Sequence, residues 1–158
     1  MRMLGSGQMF GGGAMLHPEN GYPVTAEAME DSTALAWEAY GFEKLAEKNP
    51  VLSVNMMCLM QAYVQEMQSR YLEISTERVE QRLARSLVRL TSQMGIKTGG
   101  LIELSFSRQD LAEMSGTTLY SASRILADWA RRGIIETGRE RVRIMNPHGL
   151  VAIAEDLG

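Results

Sequence analysis

Neither glycine nor proline occurs between Val51 and Met94. Strands rarely run more than ~10 residues without a turn residue, so this stretch must be one long helix or two with a bend. Asn49-Pro50 opens it, since Asn is a good N-cap and Pro suits the first helical position. The β-branched, polar cluster Ile74-Ser75-Thr76 predicts the break and a cap for a second helix. Before it, Leu52, Met56, Leu59 or Met60, Tyr63, Met67, Tyr71 and Ile74 recur at three- and four-residue steps, on one side of a helix of about 25 residues. After it, Val79, Leu83, Leu87 and Leu90 repeat the stripe, with Arg78, Arg82, Arg85 and Arg89 beside it as a wet face. Gly95 ends the second helix.

On either side the pattern changes. Residues 1–48 are rich in Gly, with turn signals at Gly11-Gly12-Gly13, His17-Pro18-Glu19-Asn20-Gly21 and Tyr22-Pro23, and predict a few strands and turns. Downstream, Gly99-Gly100 predicts a turn and Leu101 to Phe106 alternates as a strand should. Ser107 with Asp110 resembles a capping box for a short helix to about Met114, and Ser115-Gly116 breaks it. Thr117 can cap the next helix, which runs to Arg132 and ends at Gly133. Ile134 to Thr137 and Arg141 to Met145 flank Gly138-Arg139-Glu140 as a hairpin, and Asn146-Pro147 starts a final short helix. The predicted fold class is mainly α with small β elements. Two short helices around a tight Gly turn, followed by a hairpin, are the layout of a winged helix-turn-helix.

Composition narrows the function. A content of 45% hydrophobic and 22% charged residues is ordinary for a globular chain. No apolar run approaches the ~20 residues of a membrane span; the run from Val51 to Val64 is interrupted by Ser53, Asn55 and Gln61. The N-terminus lacks the apolar centre of a secretory signal, so no membrane partner and a cytoplasmic location are expected. The single cysteine, Cys58, excludes an intrachain disulfide and reads as a small buried apolar residue. His17 and His148 show no metal-ligand spacing, and no metal is predicted. Met56, Met57, Met60 and Met67 read as adaptable packing in a helix seam. No nucleophile paired with His, recognisable carboxylate pair or phosphate-binding loop is present, which disfavours an enzyme. The formal charge of -3 hides an asymmetry: residues 1–75 hold 4 Lys+Arg against 9 Asp+Glu, and residues 76–158 hold 12 against 10. The C-terminal half is the better candidate for a polyanion partner.

Ala122, Ile125, Leu126 and Trp129 give the second short helix an apolar face that must be core. Its other side carries Tyr120, Ser121, Arg124, Asp128 and Arg131, with Thr117 and Thr118 at the N-terminus. A helix N-terminus in a major groove offers backbone N–H groups and short hydroxyls to phosphates, and an Arg one turn further in can bind guanine in bidentate fashion. Arg124 is the first choice for base readout. Ser107, Arg108 and Ser123 complete the set on the two helices. In the hairpin, Val142 and Ile144 point one way while Arg141 and Arg143 point toward solvent or a phosphate backbone. The alternative is a protein-interaction module in which Leu119 and Tyr120 anchor a partner and DNA is not bound.

The stretch FSRQDLAEMSGTTLYSASRILADWARRGII, preceded by ERVEQRLARSLVRL and the long helix, resembles the DNA-binding domain of the Crp/Fnr family of bacterial regulators over residues 50–145. The resemblance implies a dimerisation helix at 49–75, with Leu52, Met56, Leu59, Met60, Tyr63, Met67 and Tyr71 in its interface, and a winged helix-turn-helix at 76–158. It implies double-stranded DNA and a second copy of the chain as partners, with RNA polymerase as a further candidate. Arg124 matches the family's base-reading Arg and Ser121 a phosphate-contacting Ser/Thr, whereas Leu119-Tyr120 replaces the family's common Arg-Glu pair. Residues 1–48 resemble an incomplete remnant of the family's β-roll sensor that lacks its first half, which suggests a fragment of a longer regulator or a degenerated sensor. Gly12 stands where the ribose-binding Glu would be, and Val24-Thr25 where an Arg-Ser/Thr pair would hold a cyclic phosphate. No cofactor is therefore predicted, and the resemblance argues against cyclic-nucleotide binding.

Overall fold

The structure is a computed structural model that describes residues 3–13, 19, 21–22, 24–29, 31–98 and 101–157. The expected turns at His17 to Asn20, at Pro23 and at Gly99-Gly100 lie wholly or partly outside the described residues. The chain divides into two units, residues 3–5 with 68–157, and Ser6–Met67.

In the smaller unit the expected strands are absent among the described residues, and Ala39–Lys48 forms a helix, α1. Strands need neighbours to satisfy their N–H and C=O groups, whereas a helix satisfies its own. Lys44 lies over the Tyr40 ring one turn away, 4.4 Å from its centre. Asn49 closes α1 rather than opening the next helix with its side chain: its backbone N–H and its amide both donate to the Leu45 carbonyl, at 2.9 and 3.1 Å. Helix α2 then runs over Pro50–Thr76 and crosses from the smaller unit into the larger.

The break between helices falls two residues later than the sequence suggests. Ser75 and Thr76 do not cap the following helix; their hydroxyls donate backward to the carbonyls of Tyr71 and Leu72, both at 2.8 Å, and so remain part of α2. Helix α3, Val79–Met94, starts after extended Arg78 without a side-chain cap. Leu83, Leu87 and Leu90 are buried as its stripe predicts. Of the arginines beside that stripe only Arg78 stays exposed, and the other three are not a wet face. Arg82 is buried, and the half-buried Arg85 and Arg89 pair with Glu77 and Glu155, and with Glu73. Their long stems cover apolar surface while each guanidinium meets a carboxylate or carbonyl from a neighbouring element.

Strand β1, Ile96–Thr98, follows at once, an element too short and too close to Gly95 for periodicity to reveal. It pairs antiparallel with β2, Leu101–Leu104, which ends before Ser105 and Phe106. Helices α4, Arg108–Met114, and α5, Leu119–Arg131, are followed by β3, Ile135–Gly138, and β4, Arg141–Ile144. The sheet order is β1-β2-β4-β3, all antiparallel, with Ile144 opposite both Ile102 and Ile135. The hairpin turn is Arg139-Glu140, Gly138 being the last residue of β3. Helix α6, Pro147–Ala154, has the expected Asn146 cap, whose side chain accepts from the Gly149 N–H at 2.9 Å.

One core joins these pieces: Leu83, Leu87 and Leu90 of α3, Leu104, Leu111, Leu126, Trp129, Ile144 and Leu150. Replacing Leu87, which has no exposed surface, with Ala should lower stability by about 2–5 kcal/mol in urea unfolding followed by circular dichroism. Val151→Ala, at a side chain 42% exposed, should change it by less than about 1 kcal/mol.

Candidate nucleic-acid interface

The helix pair is assembled from local signals. Ser107 Oγ accepts the Asp110 N–H at 3.1 Å, while the Ser107 N–H donates to Asp110 Oδ2 at 2.9 Å, a reciprocal cap for α4. At the other end, Gly116 takes φ +60°, its N–H donates to the Glu113 carbonyl, and the Thr117 N–H reaches the Ala112 carbonyl at 2.9 Å. This is a Schellman closure, in which a left-handed residue satisfies carbonyls the helix would leave bare. Ser115 adds its hydroxyl to the Leu111 carbonyl at 2.8 Å.

Arg82 fixes this turn from outside. Its Nε donates to the Ser115 carbonyl at 3.0 Å, Nη2 to the Gly116 carbonyl at 3.2 Å and Nη1 to the Glu77 carbonyl at 2.7 Å. The rigid fork of the guanidinium ties the α2–α3 junction to the α4–α5 turn. No periodicity in the sequence reports this role, because an Arg beside an apolar stripe usually points to solvent.

Thr118, one residue after the expected Thr117, caps α5, accepting the Ser121 N–H at 3.1 Å. The shift follows from Thr117, which the Schellman bond to Ala112 holds in the turn. Ala122, Leu126 and Trp129 are buried, Ile125 partly so, and the Trp129 indole N–H donates to Glu80 Oε1 at 2.9 Å. A second Schellman closure ends α5: Gly133 has φ +67°, and the Ile134 N–H reaches the Trp129 carbonyl at 2.9 Å. Capped at both ends and locked on one face, α5 is a rigid platform.

On the solvent side, Arg108, Thr118, Tyr120 and Arg124 are exposed, while Ser107, Thr117, Ser121 and Ser123 are half-buried. Ser107, Thr118 and Ser121 spend hydroxyl contacts on the caps. Val142 and Ile144 are buried and Arg141 is exposed, as alternation predicts. Arg143 is held instead across the sheet, 2.8 Å from Glu103 Oε2 and 3.0 Å from Glu136 Oε2. The hydrogen bond to Glu103, with the charge of Glu136, raises its guanidinium pKa further above the ordinary arginine value. The free cations of the wing are Arg141 and Arg139, the latter absent from the sequence expectations although a loop-tip Arg is visible there. Among the described residues Arg108, Arg124, Arg139 and Arg141 form no ion pair.

Helix α2 has no buried residue. Leu52 and Met56 are half-buried, and Leu59, Met60, Tyr63, Met67 and Tyr71 are exposed. Cys58, expected to be buried, is exposed on the same helix. Gly12 offers no side chain to a ligand and would bring a Cβ 3.2 Å from Met9 Cε, and Val24 is exposed and apolar. No cluster of His, Cys, Asp and Glu suited to a metal occurs among the described residues, and no described helix is long and apolar enough to cross a membrane.

A capped two-helix unit with a Gly turn, braced by α3 and α6 across a shared core and completed by a β-hairpin, is a winged helix-turn-helix domain. Residues 81–153 match the Crp-like helix-turn-helix domain. The chain is 25% identical to the transcriptional activator protein FnrA of Stutzerimonas stutzeri over 135 residues, 84% of this chain and 55% of that protein. It is 27% identical to the cyclic AMP receptor protein of Thermus thermophilus over 154 residues, 98% of this chain and 68% of that one. Among solved structures, a Crp/Fnr-family transcriptional regulator from Thermus thermophilus superposes with a TM-score of 0.66 at 22% identity, over 70% of this chain and 57% of its own. FixK2 from Bradyrhizobium japonicum gives 0.65 at 20% identity, over 73% and 58%. These two likenesses establish the fold. The chain therefore carries a Crp-like helix-turn-helix domain over residues 81–153. It spans little more than half the length of FnrA and similar relatives.

Replacing Arg82 with Met should cost about 2–4 kcal/mol in urea unfolding, because three carbonyls lose their donor. Arg82→Lys should recover only part of that, since an ammonium cannot span the three acceptors. Gly116→Ala should lower stability by about 1–2 kcal/mol in the same assay through its left-handed backbone alone, the nearest atoms being 3.7 Å away on Ile74.

Proposed function

We propose that the chain is a DNA-binding transcription regulator that performs no chemistry, with residues 117–132 entering the major groove of a near-palindromic operator. The observation that carries this reading is Arg124, exposed and without an ion pair among the described residues, on a helix immobilised by its buried face and by both end closures. A planar guanidinium held on such a platform can bind guanine O6 and N7 in bidentate fashion.

Thr117, Thr118, Tyr120, Ser121 and Ser123 surround that residue at the start of α5, and the backbone N–H groups there suit phosphate oxygens. Ser107 and Arg108 offer the same chemistry at the start of α4. In the wing Arg141 contacts the phosphate backbone with Arg139 beside it, while Arg143 serves chiefly to hold the sheet.

Homodimerisation uses the helix at 49–75 through Leu52, Met56, Leu59, Met60, Tyr63, Met67 and Tyr71. The support is a helix with large apolar side chains recurring along its length and no residue buried, which in water calls for a covering surface. Residues 76–158 form the DNA-binding part, and 1–48 a segment distinct from it. Two recognition helices related by two-fold symmetry read two half-sites about one helical turn apart. RNA polymerase is the further partner proposed, and the cytoplasm the place of action.

Fluorescence anisotropy on a randomised duplex pool, at several salt concentrations and with selection of bound sequences, tests this. Affinity should fall steeply with salt and the selected pool should contain a palindrome. Arg124→Ala should cost about 1–3 kcal/mol on the preferred site and relax one base pair per half-site, whereas Arg141→Ala should weaken all sequences alike and lower the salt slope by about 1 per protomer. Sequence preference intact in Arg124→Ala would refute the assignment of the recognition helix.

A further inference from the structure

The first turn of α5 presents two large apolar side chains next to each other, Leu119 at 48% and Tyr120 at 78% exposure. Among the described residues from Val79 to Leu157, the other exposed large hydrophobic side chains are Met145, Val151 and Leu157, each isolated in sequence. The polar groups of the same turn are already engaged. Thr118 Oγ1 accepts the Ser121 N–H and lies 3.1 Å from Ser121 Oγ, so both hydroxyls belong to the cap. Helical spacing puts Tyr120, Arg124, Ala127 and Arg131 on one stripe. All four are exposed, and Arg131 is tied to Asp128 at 2.8 Å. The large side chains left free at the tip are therefore Leu119, the ring of Tyr120 and the guanidinium of Arg124.

The charged phosphate oxygens of the DNA backbone offer nothing to Leu. In the major groove of duplex DNA the apolar group on a base edge is the C5-methyl of thymine, and a guanidinium prefers guanine. We propose that Leu119 and Tyr120 read thymine methyl groups beside the guanine taken by Arg124, so that each operator half-site requires an A·T pair flanking a G·C pair. This inference rests on the DNA-reading role of α5 given above and adds to it the base that the helix tip selects. Burial of one methyl corresponds to roughly fourfold in affinity, and roughly fifteenfold when both half-sites lose it.

The test uses the full chain on its selected duplex, with each thymine replaced in turn by 2′-deoxyuridine, which lacks only the methyl group. A single uracil, at one or two of the thymine positions tested within a half-site, should weaken binding about fourfold. The same replacements should be silent in the Leu119→Ser, Tyr120→Ser double variant, whose circular dichroism should match the parent because both side chains are exposed. Uracil tolerated everywhere, or an equal penalty in the double variant, overturns the methyl contact while DNA reading by α5 stands. A folded parent chain that binds no duplex overturns both readings and leaves the apolar pair as an anchor for a protein partner.

Discussion

The buried guanidinium of Arg82 holds three backbone carbonyls from two different junctions, Glu77 at the α2–α3 break and Ser115 and Gly116 at the α4–α5 turn. Burying a charge is costly unless its hydrogen-bonding capacity is used, and here the planar fork uses Nε, Nη1 and Nη2 on separate acceptors. The arrangement couples two features that would otherwise drift independently. The Gly116 turn sets the angle between α4 and α5, and the α2–α3 break sets where the long helix leaves the domain. Neighbouring pairs, Arg85 with Glu77 and Glu155, and Arg89 with Glu73, extend the same bracing along α3.

Rigidity at α5 comes from several weak local devices that agree. A Thr cap at one end, a Schellman closure at the other and the Trp129 indole bond to Glu80 each contribute little alone. Together they leave the outward face no freedom except that of its side chains. A reading surface needs this, because a side chain that must reach one base edge gains nothing from a backbone that also moves.

The same structure changes how the charge should be counted. Residues 76–158 hold a small excess of Lys+Arg, yet Arg78, Arg82, Arg85, Arg89, Arg131, Arg132 and Arg143 all spend their charge or their donors within the chain. The arginines left for a polyanion are Arg108, Arg124, Arg139 and Arg141, one at the start of α4, one on α5 and two at the wing. A modest net charge is therefore compatible with a concentrated electrostatic footprint. What matters is which cations lack an internal partner, and folding decides that.

By itself the sequence determined the element types wherever the chemistry is local. The capping box at Ser107 and Asp110, the left-handed glycines 116 and 133, the Asn146-Pro147 start of α6 and the apolar face at Ala122, Leu126 and Trp129 depend on residues within a turn or two of each other. The candidate site was legible to the same extent, since Arg124 and Tyr120 follow from helical spacing around that face. Only the tertiary structure decided what depends on distant partners. It made α1 a helix where strands were expected, added β1 and moved the α2–α3 break past Thr76. It also buried Arg82, tied Arg85 and Arg89 to carboxylates of neighbouring segments, and drew Arg143 away from the wing's outer charge. The physical reason is the same throughout: caps and periodicity are short-range, whereas the partner of a long charged side chain, or of a strand edge, is chosen by whatever the fold brings alongside.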